Sequence, residues 1–453
     1  MGPKLILINP WIYDFAAYDL WSKPLGLLYL AALLSTRGFQ VHFLDCLDVH
    51  HPEMRDSPSM SSPPRRPYGT GKFWRKRAAK PPPLQHVSRP YSRYGIRRQL
   101  FIRDLQSIEN PAAILVTSLM TYWYPGVQEV ISIAKETHPG VPVLLGGIYA
   151  RLCKEHALQH AGADYVAAEG NSNDPGSVLE ALDHFNIPVP KRSPDEGVTP
   201  YPAFYMLRKI DYVCLLTSTG CPYRCHYCAS YFLNPTFYQR DPLQVLEEIL
   251  FWHRNFGVEN FALYDDALLL QAHTHIAVLL EKVISLGLNL SFHTPNALHV
   301  REITHDVARL LHLSGFRTIR LGLETSDMGP HRDLDKKLSE GEFERAVYNL
   351  KTAGFSSEEI GVYILVGLPG QSVESVAGTI DFVGRTGAAP YLAEYSPIPK
   401  TPMWDVAQAH SGYDLSSEPL FHNNTLLPCW DEDKRARVPE LKKRALEIRR
   451  SRP

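Results

Sequence analysis

The chain has 453 residues, 44% of them apolar, enough to fill more than one core, and 47 basic against 48 acidic residues leave a net charge of −1. That balance excludes a global field for nucleic acid or an anionic membrane, and no apolar run reaches the length of a membrane span. Seven cysteines, an odd number with three inside eight residues, exclude a disulfide framework. Met1-Gly2-Pro3-Lys4 leads straight into an apolar strand rather than a leader, so a cytoplasmic location is expected.

Lys4–Ile8 is a short apolar strand closed by Asn9-Pro10. A helix is predicted from Pro24 to Arg37, with proline in its first turn, Leu27, Leu28, Leu30, Ala31 and Leu34 as its apolar positions, and Gly38 as its stop. Gln40–Asp45 is the next strand. After an interruption come the strand Ala113–Thr117, a helix near Gly126–Thr137, and the strand Val141–Leu145 ending in Gly146-Gly147. A short helix and the strand Ala163–Ala167 follow. Strands alternating with helices predict an α/β domain over 1–170 with a Rossmann-like, doubly wound parallel sheet. Ligands on such sheets bind beyond the carboxyl ends of the strands, here the loops Asn9–Trp11, Thr117–Thr121, Gly146–Ala150 and Glu169–Asn171.

The interruption, 51–104, is basic and proline-rich. Between Ser57 and Arg103 there is no acidic residue, while twelve Lys or Arg and eight Pro occur. Arg75-Lys76-Arg77 and Arg97-Arg98 alternate with Phe73, Trp74, Tyr91, Tyr94 and Phe101, more aromatic side chains than a bare disordered linker carries. A surface-packed loop, a cap facing an anionic ligand and an arm for single-stranded nucleic acid all remain open. Residues 171–205, rich in Gly, Asn, Asp and Pro, read as a linker.

A second run of strands begins at Tyr212–Thr217 and passes into a loop with Cys221, Cys225 and Cys228, spaced C-x3-C-x2-C. Three thiolates hold three irons of a [4Fe–4S] cluster, which normally takes four cysteines, so one iron is left to bind a small molecule. The competing readings are a structural zinc and three separate buried thiols. A zinc site usually brings a second ligand pair, and there is no second C-x2-C. Asp241-Pro242 opens a helix with Val245, Leu246, Ile249, Leu250 and Trp252 on its apolar face. Strands follow at Asn260–Tyr264, ending in Asp265-Asp266, at Asn289–Thr294, at Thr318–Thr325, at Gly361–Gly367 and at Tyr391–Tyr395. Six strands with helices between predict a partial (β/α)6 barrel of the TIM type over 206–400, with functional groups at the carboxyl ends. The tail, 401–453, is irregular and then a basic helix, Pro439–Arg450, which either covers the barrel or lies on the surface.

The cysteine spacing, with Tyr227 before the last cysteine, resembles the radical S-adenosylmethionine (SAM) superfamily. The resemblance implies a [4Fe–4S] cluster on Cys221, Cys225 and Cys228 that binds SAM and cleaves it reductively to a 5′-deoxyadenosyl radical. It also implies SAM contacts at Tyr227, at Asp265 and Asp266 beside the ammonium, and at Asn296 and Glu324. Gly367 and Pro369 would lie in the turn under the adenine. On the residues alone, Asp265 or Asp266 also reads as a helix cap, and Glu324 as an ion-pair partner of Arg320 or Arg317.

Lys23–Ala31, Leu145-Gly146-Gly147 and Ala163–Val166 look like the cobalamin-binding domain fused to many radical SAM enzymes, and Ser396–Trp404 resembles the Pro-rich barrel exit of that class. This implies cobalamin contacts at Asn9, Pro10, Leu25, Gly26, Ser118, Gly146, Gly147, Tyr149, Glu169 and Gly170. The chain departs from the pattern: it has no Asp-x-His-x-x-Gly to offer a lower cobalt ligand. Ile148-Tyr149 also follows Gly147 where relatives often carry histidine, and Glu169-Gly170-Asn171 replaces a Gly-Glu-Gly-Glu run. A Rossmann-like domain that only shapes a substrate cavity is the competing reading.

Together these imply a cobalamin-dependent radical SAM enzyme that methylates an unactivated carbon of a small molecule. An outside one-electron donor of the flavodoxin or ferredoxin type would serve it. The alternatives are a radical rearrangement, cyclisation or oxidation without methyl transfer, and an iron–sulfur electron-transfer or RNA-binding module. Neither a membrane nor a nucleic acid is expected as partner.

Overall fold

The computed structural model describes residues 2–55, 63–169, 176–190, 200–327 and 338–451, with Gly329 and Leu334 between the last two stretches. The chain divides into two units, Met1–Asp211 with Ser417–Phe421, and Tyr212–Ser416 with His422–Pro453.

The first unit is built on β1 (Lys4–Asn9), α1 (Leu25–Thr36), β2 (Gln40–Asp45), α2 (Arg98–Gln106), β3 (Ala113–Val116), α3 (Tyr124–Thr137), β4 (Val143–Leu145) and β5 (Tyr165–Val166). The sheet runs β5-β4-β3-β1-β2 and every pair is parallel. Both faces are covered, which is why Leu5–Ile8 and Ala113–Val116 are apolar without alternation. Leu5, Leu7, Leu27, Ala31, Leu34, Leu115 and Leu144 share one core. Strand order turns back between β1 and β3, so their carboxyl ends form the crevice where such sheets bind ligands.

The basic interruption folds. Ser92–Tyr94 is the centre of a three-stranded antiparallel sheet, with Ile12–Asp14 on one side and Arg75–Arg77 on the other, and Tyr18–Asp19 pairs with Gly71–Lys72. Phe73, Trp74, Tyr91, Tyr94 and Phe101 are each between 1% and 5% exposed, while Arg75–Arg77 faces solvent. The rings are spent on the core, so they offer no platform for stacked bases. Residues 56–62 of this stretch lie outside the described ones.

The expected linker is corrected in part. Gly176–His184 is a helix, and Ala181, Leu182, Ile187 and Ala203 are buried in the core of the first unit. Helical apolar spacing at Val178, Leu179, Ala181 and Leu182 outweighs the surrounding Gly, Asn and Pro. Residues 170–175 and 191–199 lie outside the described ones.

The second unit carries β6 (Val213–Leu215), α4 (Pro242–Phe256), β7 (Asn260–Leu263), α5 (Ile276–Ser285), β8 (Ser291–His293), α6 (His305–Leu313), β9 (Phe316–Glu324), α7 (Glu342–Ala353), β10 (Ile360–Val366), α8 (Val373–Thr386), β11 (Ala389–Glu394) and α9 (Val438–Arg450). The six strands pair in chain order, all parallel, as a partial barrel requires. Asp241 caps α4 by accepting from the Leu243 N–H at 2.7 Å, ahead of Pro242 at the first turn. Phe261, Phe292 and Phe316 on three successive strands form a ring ladder with centroids 5.9 and 5.3 Å apart. The tail helix α9 is the sixth barrel helix: Arg444 pairs with Asp381 of α8, and Arg449 donates to the Pro390 carbonyl of β11 at 2.6 Å. Among the described residues no helix is long and apolar enough to cross a membrane.

Candidate active site

The cysteine loop leaves β6 and is closed at its neck by a short antiparallel ladder, Ser218 opposite Gln239 and Thr219 opposite Tyr238. Cys225 is buried, Cys221 and Cys228 are half-buried, and the outer positions Pro222, Arg224 and His226 are exposed. Two backbone bonds pin the outer face, His226 N–H to the Leu334 carbonyl at 2.8 Å and Met403 N–H to the His226 carbonyl at 3.0 Å. The Tyr231 hydroxyl donates to the Lys400 carbonyl at 2.6 Å. The Pro-rich exit after β11 thus supports the loop.

The strand-end candidates divide into two groups. Asp265 is 3% exposed, and its carboxylate faces the root of the cysteine loop rather than open space. It accepts from the Thr217 and Ser218 N–H groups and from both hydroxyls at 2.5–3.2 Å. This replaces the two readings made for it, since it neither caps a helix nor lies open to an ammonium. Burial pushes its carboxyl up, and these hydrogen bonds pull the other way. Asp266 is half-buried and accepts from the Ser230 hydroxyl. Asn296 is exposed and is held through its amide, which donates to the Tyr264 carbonyl at 2.7 Å.

Glu324 stands at the end of β9 with φ +63°, beside a register shift between β9 and β10. A left-handed backbone at a non-glycine residue on a bulge is costly and re-aims the side chain. Its buried carboxylate accepts from the Tyr227 hydroxyl at 3.0 Å, linking the fourth strand end to the cysteine loop. Arg320, one of the two ion-pair partners weighed for it, lies over the Tyr391 ring at 4.8 Å.

The turn after β10 is braced from within and from the tail. Gln371 Oε1 accepts from the Gly367 and Leu368 N–H groups at 3.0 and 3.2 Å, and its amide donates to the Leu365 carbonyl at 2.9 Å. Gly367 has φ +97°, and a Cβ there would lie 2.6 Å from Leu427 Cδ2. The space expected for close approach to an adenine is occupied on this side by Leu427. Trp430 Nε1 donates to the Leu368 carbonyl at 3.3 Å, and Pro369, the next residue in the chain, is half-buried.

In the first unit most candidates brace loops. The Asn9 amide donates to Asp45 at 2.7 Å, and the Ser118 hydroxyl donates to the Gly146 carbonyl at 2.6 Å. Gly147 has φ +93°, and a Cβ there would meet the Ser118 backbone at 2.2 Å. Tyr149 is fully buried and bonds His156 Nδ1 at 2.7 Å; burial raises the phenol and lowers that imidazole to about 4. Pro10 and Leu25 are buried, and Glu169 points outward to Lys154 at 2.9 Å. Gly26 and Gly146 have no atom within 4 Å of a would-be Cβ, which leaves them open. Gly170 lies outside the described residues.

A family model described as the radical SAM superfamily matches residues 215–383, and one described as the B12 binding domain matches 99–175. The chain thus carries a radical SAM domain with a B12-binding domain ahead of it. A curated relative, an uncharacterized methyltransferase of Pyrococcus horikoshii, is 24% identical over 201 residues, 44% of this chain and 42% of that one. The match therefore spans less than half of the relative's length. The radical SAM methyltransferase TsrM of Kitasatospora setae, solved with cobalamin and a [4Fe–4S] cluster, is 16% identical. It aligns over 99% of this chain and 89% of its own, with a TM-score of 0.66. The cobalamin-dependent SAM radical enzyme OxsB is 12% identical over 98% of this chain and 62% of its own, with a TM-score of 0.55. At these identities the likeness is one of fold.

The radical SAM domain implies a [4Fe–4S] cluster and SAM, and the B12-binding domain implies cobalamin. The three-thiol donor set fits the cluster. Each thiolate serves its own iron, so the sulfurs need not converge as the ligands of a single ion do. Among the described residues no group of three His, Cys, Asp or Glu side chains forms such a single-ion site. The first-unit candidates fit a corrinoid held by shape and backbone, with no imidazole among them to reach cobalt. Several bracing residues escaped the sequence reading: Thr217, Ser218, Ser230, Gln371, Leu427 and Trp430. Tyr395, directly after β11, buries a hydroxyl with no hydrogen-bond partner among the described residues, a group that a polar ligand or water would satisfy.

Proposed function

We propose that this radical SAM protein is a cobalamin-dependent methyltransferase acting on a carbon of a small molecule. One observation carries the reading: the three-cysteine loop is rooted at the carboxyl end of a six-stranded parallel barrel, and Tyr227 bonds it to Glu324 on a strained bulge. A β2-β1-β3-β4-β5 parallel sheet precedes it in the same chain. Bound there, the cluster would supply the electron that cleaves SAM, and the corrinoid would supply the methyl group. In this reading Cys221, Cys225 and Cys228 hold the irons. Asn296, Glu324, Tyr227, Gly367 and Pro369 surround SAM, and Pro10, Gly26 and Gly146 line the corrinoid floor.

The methyltransferase names of TsrM and the Pyrococcus relative favour methyl transfer over other radical outcomes, and TsrM was solved with a tryptophan substrate. The exposed rim of the cysteine loop suits an outside one-electron donor of the flavodoxin or ferredoxin type. The test is anaerobic reconstitution with iron, sulfide and hydroxocobalamin, then reduction with SAM and analysis of its products. S-adenosylhomocysteine in amounts matching bound corrinoid, formed without any added substrate, is expected. Deoxyadenosine with no S-adenosylhomocysteine would favour rearrangement, cyclisation or oxidation, and no SAM cleavage at all would overturn the radical reading.

A further inference from the structure

Asp265 and Asp266 are neighbours at the carboxyl end of β7, yet they hold opposite ends of the cysteine loop. Asp265 grips the entry: Oδ1 accepts from Thr217 N–H at 3.0 Å, Thr217 Oγ1 at 2.7 Å, Ser218 N–H at 2.5 Å and Ser218 Oγ at 2.7 Å, and Oδ2 accepts from Thr217 N–H at 3.2 Å. Thr217 and Ser218 are fully buried. Asp266 grips the exit through the Ser230 hydroxyl, and the Ser230 N–H points to Cys228 Sγ at 3.4 Å.

We infer that this carboxylate pair is a clamp that sets the shape of the cysteine loop before a cluster is built and so positions Cys221, Cys225 and Cys228. The inference rests on the radical SAM reading of the loop and assigns the pair to its thiols rather than to SAM. An ionised carboxylate is acceptor-only, which suits four donors converging on one side chain. An amide in its place keeps one uncharged acceptor for those donors and turns its N–H2 toward the Thr217 N–H that Oδ2 now accepts from, which weakens the shared bonds and leaves that one unmade. A loop held at both ends loses less freedom when it closes round iron, and partners behind the ligands orient them. Asp265, Asp266 and Ser230 are positioning residues in this scheme.

The test compares the full chain with Asp265→Asn, Asp266→Asn and Ser230→Ala, each reconstituted anaerobically with iron and sulfide. Cluster loss to EDTA is followed by absorbance, and SAM binding to the clustered protein by equilibrium dialysis. Asp265→Asn should lose its cluster about ten- to a hundredfold faster, and the two exit variants several-fold faster. The SAM dissociation constant of the protein still carrying a cluster should stay within about twofold of the parent's. Unchanged cluster retention in both aspartate variants overturns the clamp. A weakened SAM affinity with normal cluster retention overturns it too and puts the carboxylates on SAM. A parent chain that takes up no cluster overturns the reading of the loop itself. If Asp265→Asn does not fold, Ser230→Ala, which removes the hydroxyl donor to Asp266, and Asp266→Asn, which takes the charge from that acceptor, decide the outcome.

Discussion

Gly367 and Gly370 flank the turn after β10, and alanine at the two positions separates two costs. Both have positive φ, +97° and +73°, so either substitution strains the backbone by about 1–2 kcal/mol. Only at Gly367 does the new Cβ meet an atom, Leu427 Cδ2 at 2.6 Å; at Gly370 nothing lies within 4 Å. Crowding of that kind costs about 1–3 kcal/mol more. In a unit of 150–250 residues each kcal/mol moves the melting midpoint by about 2–4 °C. Gly367→Ala should therefore melt roughly 2–12 °C below Gly370→Ala in the calorimetric transition of the second unit. Leu427→Ala costs about 2–5 kcal/mol alone, but it opens the space the alanine needs. The double variant should fall short of the sum by about 1–3 kcal/mol. Equal midpoints for the two glycine variants, or strict additivity with Leu427→Ala, would refute the packing of the tail on this turn.

The other expectations are simpler. Cys225→Ala removes the buried thiol of the loop; iron content after reconstitution should collapse while the first unit keeps its own melting transition, and retained SAM cleavage would contradict the ligand assignment. His293 is fully buried on β8 beside Thr318, and burial, then the charges of Arg320 and Arg317, lower its imidazole from 6.5 to about 3. The unfolded chain takes that proton near 6.5 and the folded one resists until about 3, so acid favours unfolding. The second unit should lose about 2 kcal/mol between pH 8 and pH 5 through this group, and His293→Gln should flatten that slope in urea titrations. Truncation before Val438 removes α9 with its Arg444 and Arg449 contacts and bares β11, so the protein should self-associate in size-exclusion chromatography.

Most of the frame was legible because buried parallel strands announce themselves. Leu5–Ile8, Ala113–Val116 and Ile360–Val366 are continuous runs without a charged residue that admit one reading when helices separate them. The cysteine loop was legible for a different reason, since three thiols at fixed spacing have few uses. What stayed hidden was set by long-range contacts. Nothing local says that Asp265 faces Thr217 and Ser218, 47 to 48 positions away, or that Leu427 fills the notch at Gly367. The basic stretch hid its sheet because strands of two or three residues leave no period to detect, and the 171–205 segment hid a helix among turn residues. The tail helix was legible as a helix, but its place beside β11 was not.

Strand ends in both units share one division of labour. The polar side chains that a sequence marks as ligand contacts mostly hold neighbouring segments of the chain together: Asp265 to Thr217 and Ser218, Ser118 to Gly146, Asn9 to Asp45, and Tyr149 to His156. The positions left open at the first-unit loops carry little or no side chain, as at Gly26 and Gly146. That arrangement suits large cofactors, which bring their own polar groups and need a floor that does not move. It also predicts how substitutions sort. Changes at the bracing residues should appear as cofactor retention and apo stability, because they alter the shape of the floor before anything binds. Side chains added at the open glycines should leave the apo chain intact and act only by competing for the cofactor's space. A Gly146→Val chain that melts like the parent yet binds corrinoid normally would break this division.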